Sequence, residues 1–423
     1  MSSSQFKIFN DLSASVVNTN TINATTANII NAEITNLEVA NINLPIGGQV
    51  KIGGVHVLST PVNASSLAVG NTLPSGQGSN AIAIGTGAGT TNQGAESIAI
   101  GSAAGATSQS PSAIAIGPTA GQTSQGSNSI AIGSNTAASN QASSAVAIGV
   151  NCAQTGQGSN AVALGTAAGQ TSQGQNSIAI GPGAASVNQS SSSVAIGQNA
   201  GQTSQGQVCV AIGQNAGTSS QATNAVAIGQ NAGQTTQRQG AVAVGANAGQ
   251  VNQGITAVAI GQNAGSTDQA TNSVAIGTQA GQTNQETASV AIGNLAGRSA
   301  QAANCVAIGN QAGEINQDQG SIAIGSLCCE NGMGPENVFI GAAAGLSVGS
   351  ATGTGNVAIG TGTNTIGNGS IVIGSQAFST ATGQFVLGSG IFPLNTSAAA
   401  GGANGYLQVR INGLDYKIPL FDP

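Results

Sequence analysis

A five-residue phrase of small and β-branched residues closing on glycine recurs along most of this chain. Ala-Ile-Ala-Ile-Gly ends at Gly85, and its relatives end at Gly101, Gly117, Gly133 and onward to Gly341, seventeen glycines spaced 16 residues apart without a slip. Three residues before each glycine stands only Ile or Val; one before it stands Ile, with Leu164 and Val244 as exceptions; between them stands Ala in sixteen of the seventeen units, Phe339 being the other. β-Branched residues at period two with small residues between them predict a short strand. An uninterrupted period means that each unit stacks on the last, so the pattern predicts an all-β fold: a parallel β-roll or β-solenoid of 16-residue coils.

The remainder of each unit reads as a return path. After the glycine come a polar pair such as Gln198-Asn199, a small pair such as Ala200-Gly201, then Thr or Ser, a small polar residue and Gln. Gln holds one column sixteen times in succession from Gln77 to Gln317, including Gln93, Gln109, Gln125, Gln141, Gln157 and Gln173. Strands of a parallel stack lie ~4.8 Å apart, so these amides can form a structural ladder; a row of ligand-binding amides is the competing reading. The first glycine column is read as positive φ or close backbone approach at a turn. The second, Gly89 to Gly345, admits Ala137, Ala153, Ala185 and Cys329.

The two strand faces predict a division of labour. The Ile/Val face is expected inside the coil as a continuous aliphatic core. The Ala column never drifts toward the polar residues of a solvated strand, and it is expected to meet another chain. Ala83, Ala99, Ala115, Ala131, Ala147, Ala163, Ala179, Ala195, Ala211 and Ala227 are thereby assigned to an oligomer interface.

Five segments follow. Residues 1–45, rich in Asn and Thr, carry apolar residues on a five-residue rhythm (Ile29, Ile34, Val39, Leu44) and read as a stalk or attachment segment. Residues 46–66 are a β-hairpin connector, 67–345 the repeat shaft, and 346–389 irregular coils of 14 to 19 residues. Residues 390–423 are a linker and a hairpin about Asn412-Gly413, a strong turn signal. That hairpin holds Tyr406, Arg410, Tyr416 and Lys417 and is a cap or a receptor-binding tip.

Composition narrows the function. Charged residues are 4% of the 423, against about 25% in an ordinary globular domain, and aromatics are 2%. Six Lys and Arg against twelve Asp and Glu leave no basic stripe for nucleic acid. No apolar run approaches the ~18 residues of a membrane-spanning helix, and Met1–Lys7 has no apolar leader core, so membrane insertion is not expected and synthesis in a cytoplasm is. His56 has no Cys or His cluster beside it, and no acidic column repeats as in a calcium-binding roll. Serine has no base within reach of its pattern. No enzyme, cofactor or metal is expected. Cys152, Cys209 and Cys305 stand in small-residue columns and read as small buried residues; Cys328-Cys329 interrupts the pattern.

Ser-Val-Ala-Ile-Gly, at 193–197, 273–277 and 289–293, resembles the head repeat of trimeric autotransporter adhesins, the YadA-like head. The resemblance covers residues 67 to 388. It implies a left-handed parallel β-roll, three of which pack about a threefold axis, and an adhesive rather than enzymatic role. That family commonly uses 14-residue units, as Gly360, Gly374 and Gly388 do here, whereas 16 dominates this chain. The expected protein is thus a homotrimeric fibre on a virion surface or outside the cell. A capsid or base protein is the expected partner at residues 1–45 and an unidentified host-surface receptor the partner elsewhere. Two other readings stay open: an ice-binding solenoid using the row Thr91, Thr107, Thr123, Thr155, Thr171 and Thr203, and a self-polymerising filament.

Overall fold

A computed structural model describes residues 49–52, 55–59, 66–70, 76–346, 353–388, 406–411 and 414–419. The 1–45 segment lies outside them. Side chains are described within 66–388.

The repeat winds into a solenoid with two strands per coil and no helix among the described residues. The first strand is the apolar triplet, as in Ile178–Ile180; the second is a triplet ending in Gln, as in Val187–Gln189. Like strands pair in parallel and in register, Ile130 with Val146, Ala131 with Ala147 and Ile132 with Ile148. Parallel stacking of the apolar triplets runs from Leu67–Val69 to Phe385–Leu387. The Gln triplets form a separate 16-stranded sheet from Thr91–Gln93 to Asn331–Met333.

Gln49–Ile52 and Val55–Ser59 pair as an antiparallel hairpin, and Ser59 pairs antiparallel with Ala68 of the first solenoid strand. Tyr406–Ile411 and Leu414–Pro419 form a second antiparallel pair, with Val409 opposite Tyr416 and Arg410 opposite Asp415. The side chains of Tyr406, Arg410, Tyr416 and Lys417 lie outside the described ones, and the tip assignment lies outside them too.

Two strands close a 16-residue circuit because the backbone turns left at five positions per coil. In the coil from Gly197 these are Gly197 (φ 125°), Asn199 (55°), Gly201 (53°), Ser204 (56°) and Val208 (59°). Left-handed backbone costs a residue with a Cβ ~1–2 kcal/mol, less for Asn, and Asn, Ser and Gly duly dominate these columns. The first glycine column is the strictest. A Cβ on Gly213 would lie 2.7 Å from the carbonyl oxygen of Gly229 in the next coil. On Gly217 it would meet the end of the Gln221 side chain at 2.9 Å. Backbone cannot yield and a side-chain end can, which is why only the second column accepts Ala.

The structure reverses the expected roles of the two strand faces. Ala83, Ala99, Ala115, Ala131, Ala147, Ala163, Ala179, Ala195, Ala211 and Ala227 line the inside of the coil and are buried within the single chain, so they meet no other chain. Ile and Val flanking them point outward and are half-buried or exposed, Ile212 at 36% and Ile228 at 37%. The physical reason is width. Backbone packs on backbone at the glycine turns, and the space between the two sheets takes Ala on one side and Gln on the other, not a layer of Ile.

Two substitutions test this geometry. Val208, β-branched, left-handed and 51% exposed, is strained for no packing return. Val208→Asn should raise stability by about 1 kcal/mol in denaturant unfolding; a loss would contradict the local backbone. Gly213→Ala should cost several times as much, ~3 kcal/mol or more, because it forces adjacent coils apart. Wild-type stability for that variant would mean the coils are not in this register.

Candidate functional site: a polar interior ladder and an outward apolar face

The interior is organised by Gln. In the coil 178–193 the fully enclosed residues are Ala179, Ala184, Ala185, Gln189 and Ser193. Gln189 Nε2 donates to Ile178 O across the coil at 2.9 Å, to Ser193 O at 3.2 Å and to Gln205 Oε1 of the next coil at 3.0 Å. The same step repeats without a break from Gln109 to Gln317, through Gln125, Gln141, Gln157 and Gln173, every amide pointing the same way along the stack. Gln93 accepts from Gln77 at 3.1 Å and donates across its coil to Ile82 O at 2.9 Å like the others, but makes no bond onward, and Gln109 Oε1 is buried without a donor. The Gln residues are thus structural groups closed to ligands. Each ties the two sheets of its coil together and each coil to the next, and aligned amide chains strengthen one another in a low-dielectric interior.

Cysteines fit the same accounting. Ser193 Oγ donates to Gly206 O at 2.6 Å, and in that column Cys209 Sγ lies 2.8 Å from Ala222 O and Cys305 Sγ 2.9 Å from Asp318 O. The thiol replaces the hydroxyl as donor to a turn carbonyl. All five cysteines are free and buried. Burial pushes the Cys152 thiol up to about 12 and raises Cys209 and Cys305. The side-chain hydrogen bond that the Cys329 thiol shares with Cys328, together with burial, raises Cys329.

The ladder ends at a plug. Met333 replaces Gln, and Phe339 replaces Ala beside Cys328 and Cys329, all four enclosed. Beyond it the described chain forms apolar triplets with no Gln sheet, and the interior amides move to another column. Asn337 Nδ2 donates to Gly334 O at 3.0 Å and Oδ1 accepts Asn356 N at 2.8 Å; Asn356 Oδ1 in turn accepts Ser370 N at 2.9 Å. Sequence reading missed this second ladder. Its signal was the replacement of Ser and Ala by Asn four residues before Gly341 and Gly360.

Outside, the two sheets differ. The second presents the Thr row, Asn and Ser, interrupted by Val187, Val251 and Ile315, with Gln turned inward. An Asn ladder joins Asn199, Asn215, Asn231, Asn247 and Asn263 at 3.0–3.3 Å. Residues 97–237 contain no charged residue at all. Charge gathers farther on, where Arg298 meets Glu314 at 2.9 Å and Asp268, Glu286 and Asp318 line an open concavity. No cluster of three metal-ligating side chains occurs among the described residues.

The first sheet presents two unbroken apolar rows along twenty-one strands, Ile and Val throughout except Leu67, Leu164, Phe385 and Leu387. If each side chain leaves on the order of 50 Å² of apolar surface in water, the rows expose on the order of 2,000 Å², against ~300–600 Å² for the largest patch on an ordinary monomer. This face is the surface feature that calls for a partner.

The interior can be tested by pH and by thiol chemistry. Gln205→Glu keeps the shape but loses the donor when ionised, leaving Val194 O and Gln221 Oε1 unserved. Burial and those acceptors raise the folded carboxyl above its unfolded value of ~4.3. Its folded state therefore binds the proton more tightly, so the variant should approach wild-type stability below about pH 4 and lose it as pH rises through that value and beyond. Thermal unfolding across acid to mildly basic pH reads this, and a pH-independent difference would contradict the buried ladder. The raised Cys152 thiol gives the same sign: stability present below the unfolded thiol value of ~8.5 and falling above it. In the native state in mildly basic buffer the five thiols should react with a maleimide only on global unfolding; a fast stoichiometric reaction would contradict their burial.

The family model described as the YadA head domain repeat matches residues 157–184, 172–200, 210–232 and 253–280. No curated protein matches the chain. The matched stretches lie in the Gln-ladder coils, so these coils are similar to YadA head repeats and stand on a parallel β-solenoid.

Proposed function

We propose that this chain is the subunit of a non-enzymatic, adhesin-like homotrimeric fibre in which three solenoids pack through their Ile/Val faces. The observation that carries the reading is the outward double row of β-branched residues, whose area falls in the range of obligate interfaces, ~2,000 Å² and above. YadA heads, to whose repeats part of this chain is similar, form homotrimers and are structural modules, which supports the reading. In such a trimer the low charge is tolerable, because the apolar sheet is covered and the Thr, Asn and Ser of the second sheet face water.

The finer reading is a fibre on the outside of a virion or cell that holds an attachment surface toward a host. Immunogold labelling of purified particles tests the virion setting. Unlabelled particles would remove it.

Light scattering on a sizing column should give about three times the 40.3 kDa of one chain. Ile212→Asp with Ile228→Asp places charges on the proposed contact and should produce monomers or precipitate. On an isolated solenoid the same exposed positions would tolerate the change within about 0.5 kcal/mol. A 40.3 kDa wild type, or a double variant that remains trimeric, would contradict the packing.

A further inference from the structure

A parallel solenoid ends in strands that can pair onward, and the two ends here match each other. The first apolar strand is Leu67-Ala68-Val69 and the last is Phe385-Val386-Leu387, each apolar, smaller, apolar in the shared register of the stack. The last strand of one molecule laid against the first strand of another would continue the sheet in the same sense. Such a head-to-tail contact is heterologous and does not close, so it propagates into filaments.

The N-terminal edge is not presented in that form. Val55–Ser59 runs antiparallel to Leu67–Val69, meeting it at Ser59 and Ala68, and Gln49–Ile52 runs outside it. Three features of this pair oppose addition. An antiparallel strand offers hydrogen-bonding groups in alternating close and wide pairs, which do not match the even spacing required by an incoming parallel strand. Register shifts between Val50 and Lys51: Val50 pairs with Leu58 and Lys51 with His56, leaving Val57 as an extra residue. A bulge of this kind increases local twist and turns the outer strand away from the plane of the sheet. That outer strand is four residues long and contains a lysine, both common means of blunting an edge.

We propose that the hairpin Gln49–Ser59 is an end cap that prevents one molecule from adding to the next through the Leu67–Val69 edge. The assignment is independent of the trimer, since each solenoid in any assembly has its own edge. It also accounts for a chain built of self-complementary coils that nonetheless has a defined end.

The test compares the full chain with an internal deletion of residues 49–59 by analytical ultracentrifugation and negative-stain microscopy, across a roughly tenfold concentration range. Full-length protein should keep one mass at all concentrations. The deletion should show a mass that rises severalfold with concentration and unbranched filaments, with the β-sheet circular dichroism retained. Adding Phe385→Pro to the deletion removes an N–H from the opposite edge, since the backbone groups of Gln384 and Gly388 face the preceding coil and those of Phe385 face away from it, and should restore a concentration-independent mass. A milder variant, Val57 deleted with Lys51→Val, should polymerise in the same way to a smaller extent. A deletion that keeps the full chain's mass at every concentration overturns the proposal. So does an aggregate, folded or not, that Phe385→Pro leaves unchanged.

Discussion

The closeness of one coil to the next at the first glycine column sets the rest of this structure. The carbonyl of each of these glycines lies where a side chain on the glycine one coil earlier would stand. Backbone in contact with backbone every 16 residues makes the coil thin. A thin coil has room between its sheets for Ala facing Gln, and no room for a second layer of branched side chains. Ile and Val, strand formers by their shape, therefore stand on the outside. A fold that buries its amides and exposes its aliphatics presents a long apolar face, and so the narrow turn is what supports the proposed packing against a partner.

Polar interiors are costly unless every group is paired, and repetition solves that problem here. A Gln in the same place in every coil donates both across the coil and along the stack, and its oxygen is served by the coil before. The arrangement can be extended indefinitely but is awkward to end. At the start the ladder leaves Gln109 Oε1 without a donor. At the far end it stops on Met333 and a plug of Phe339 and two cysteines, and Asn337 and Asn356 take over in another column. The passage from 16-residue units through one of 19 to units of 14 coincides with this handover. With the second strand lost, the shorter coil has no place for Gln and satisfies its backbone from the remaining turn.

Much of this was legible in the sequence. The period dictated the stacking, the strand positions followed from the Ile/Val alternation, and the Gln column announced a ladder. Positive φ or close backbone approach was expected at the first glycine column. The three columns of Asn, Ser and Ala that share it were less visible, since nothing in a single unit marks a residue such as Asn199 or Ser204 as left-handed. The error of substance was the orientation of the strand. Alternation at period two separates two faces but does not say which is inside, and the ordinary preference of aliphatic residues for a core gave the wrong answer. The correct cue was the Ala column itself. A column held at Ala in coil after coil, with an undrifting Gln column across from it, describes a narrow enclosed space, whereas Ile and Val describe a contact that a second chain can fill.

The central claim is that the Ile/Val side is outside the coil yet inside the assembly, and a pair of introduced cysteines tests it most directly. The native thiols are all buried, so an added surface cysteine is the reactive one. Ile228→Cys places it on the apolar face and Ser220→Cys on the polar face, both outward in the single chain. A short bifunctional maleimide should link copies of the Ile228→Cys protein covalently and leave Ser220→Cys as separate chains on a denaturing gel. Free labelling of both positions by a bulky maleimide, with no cross-linked species from either, would contradict the account.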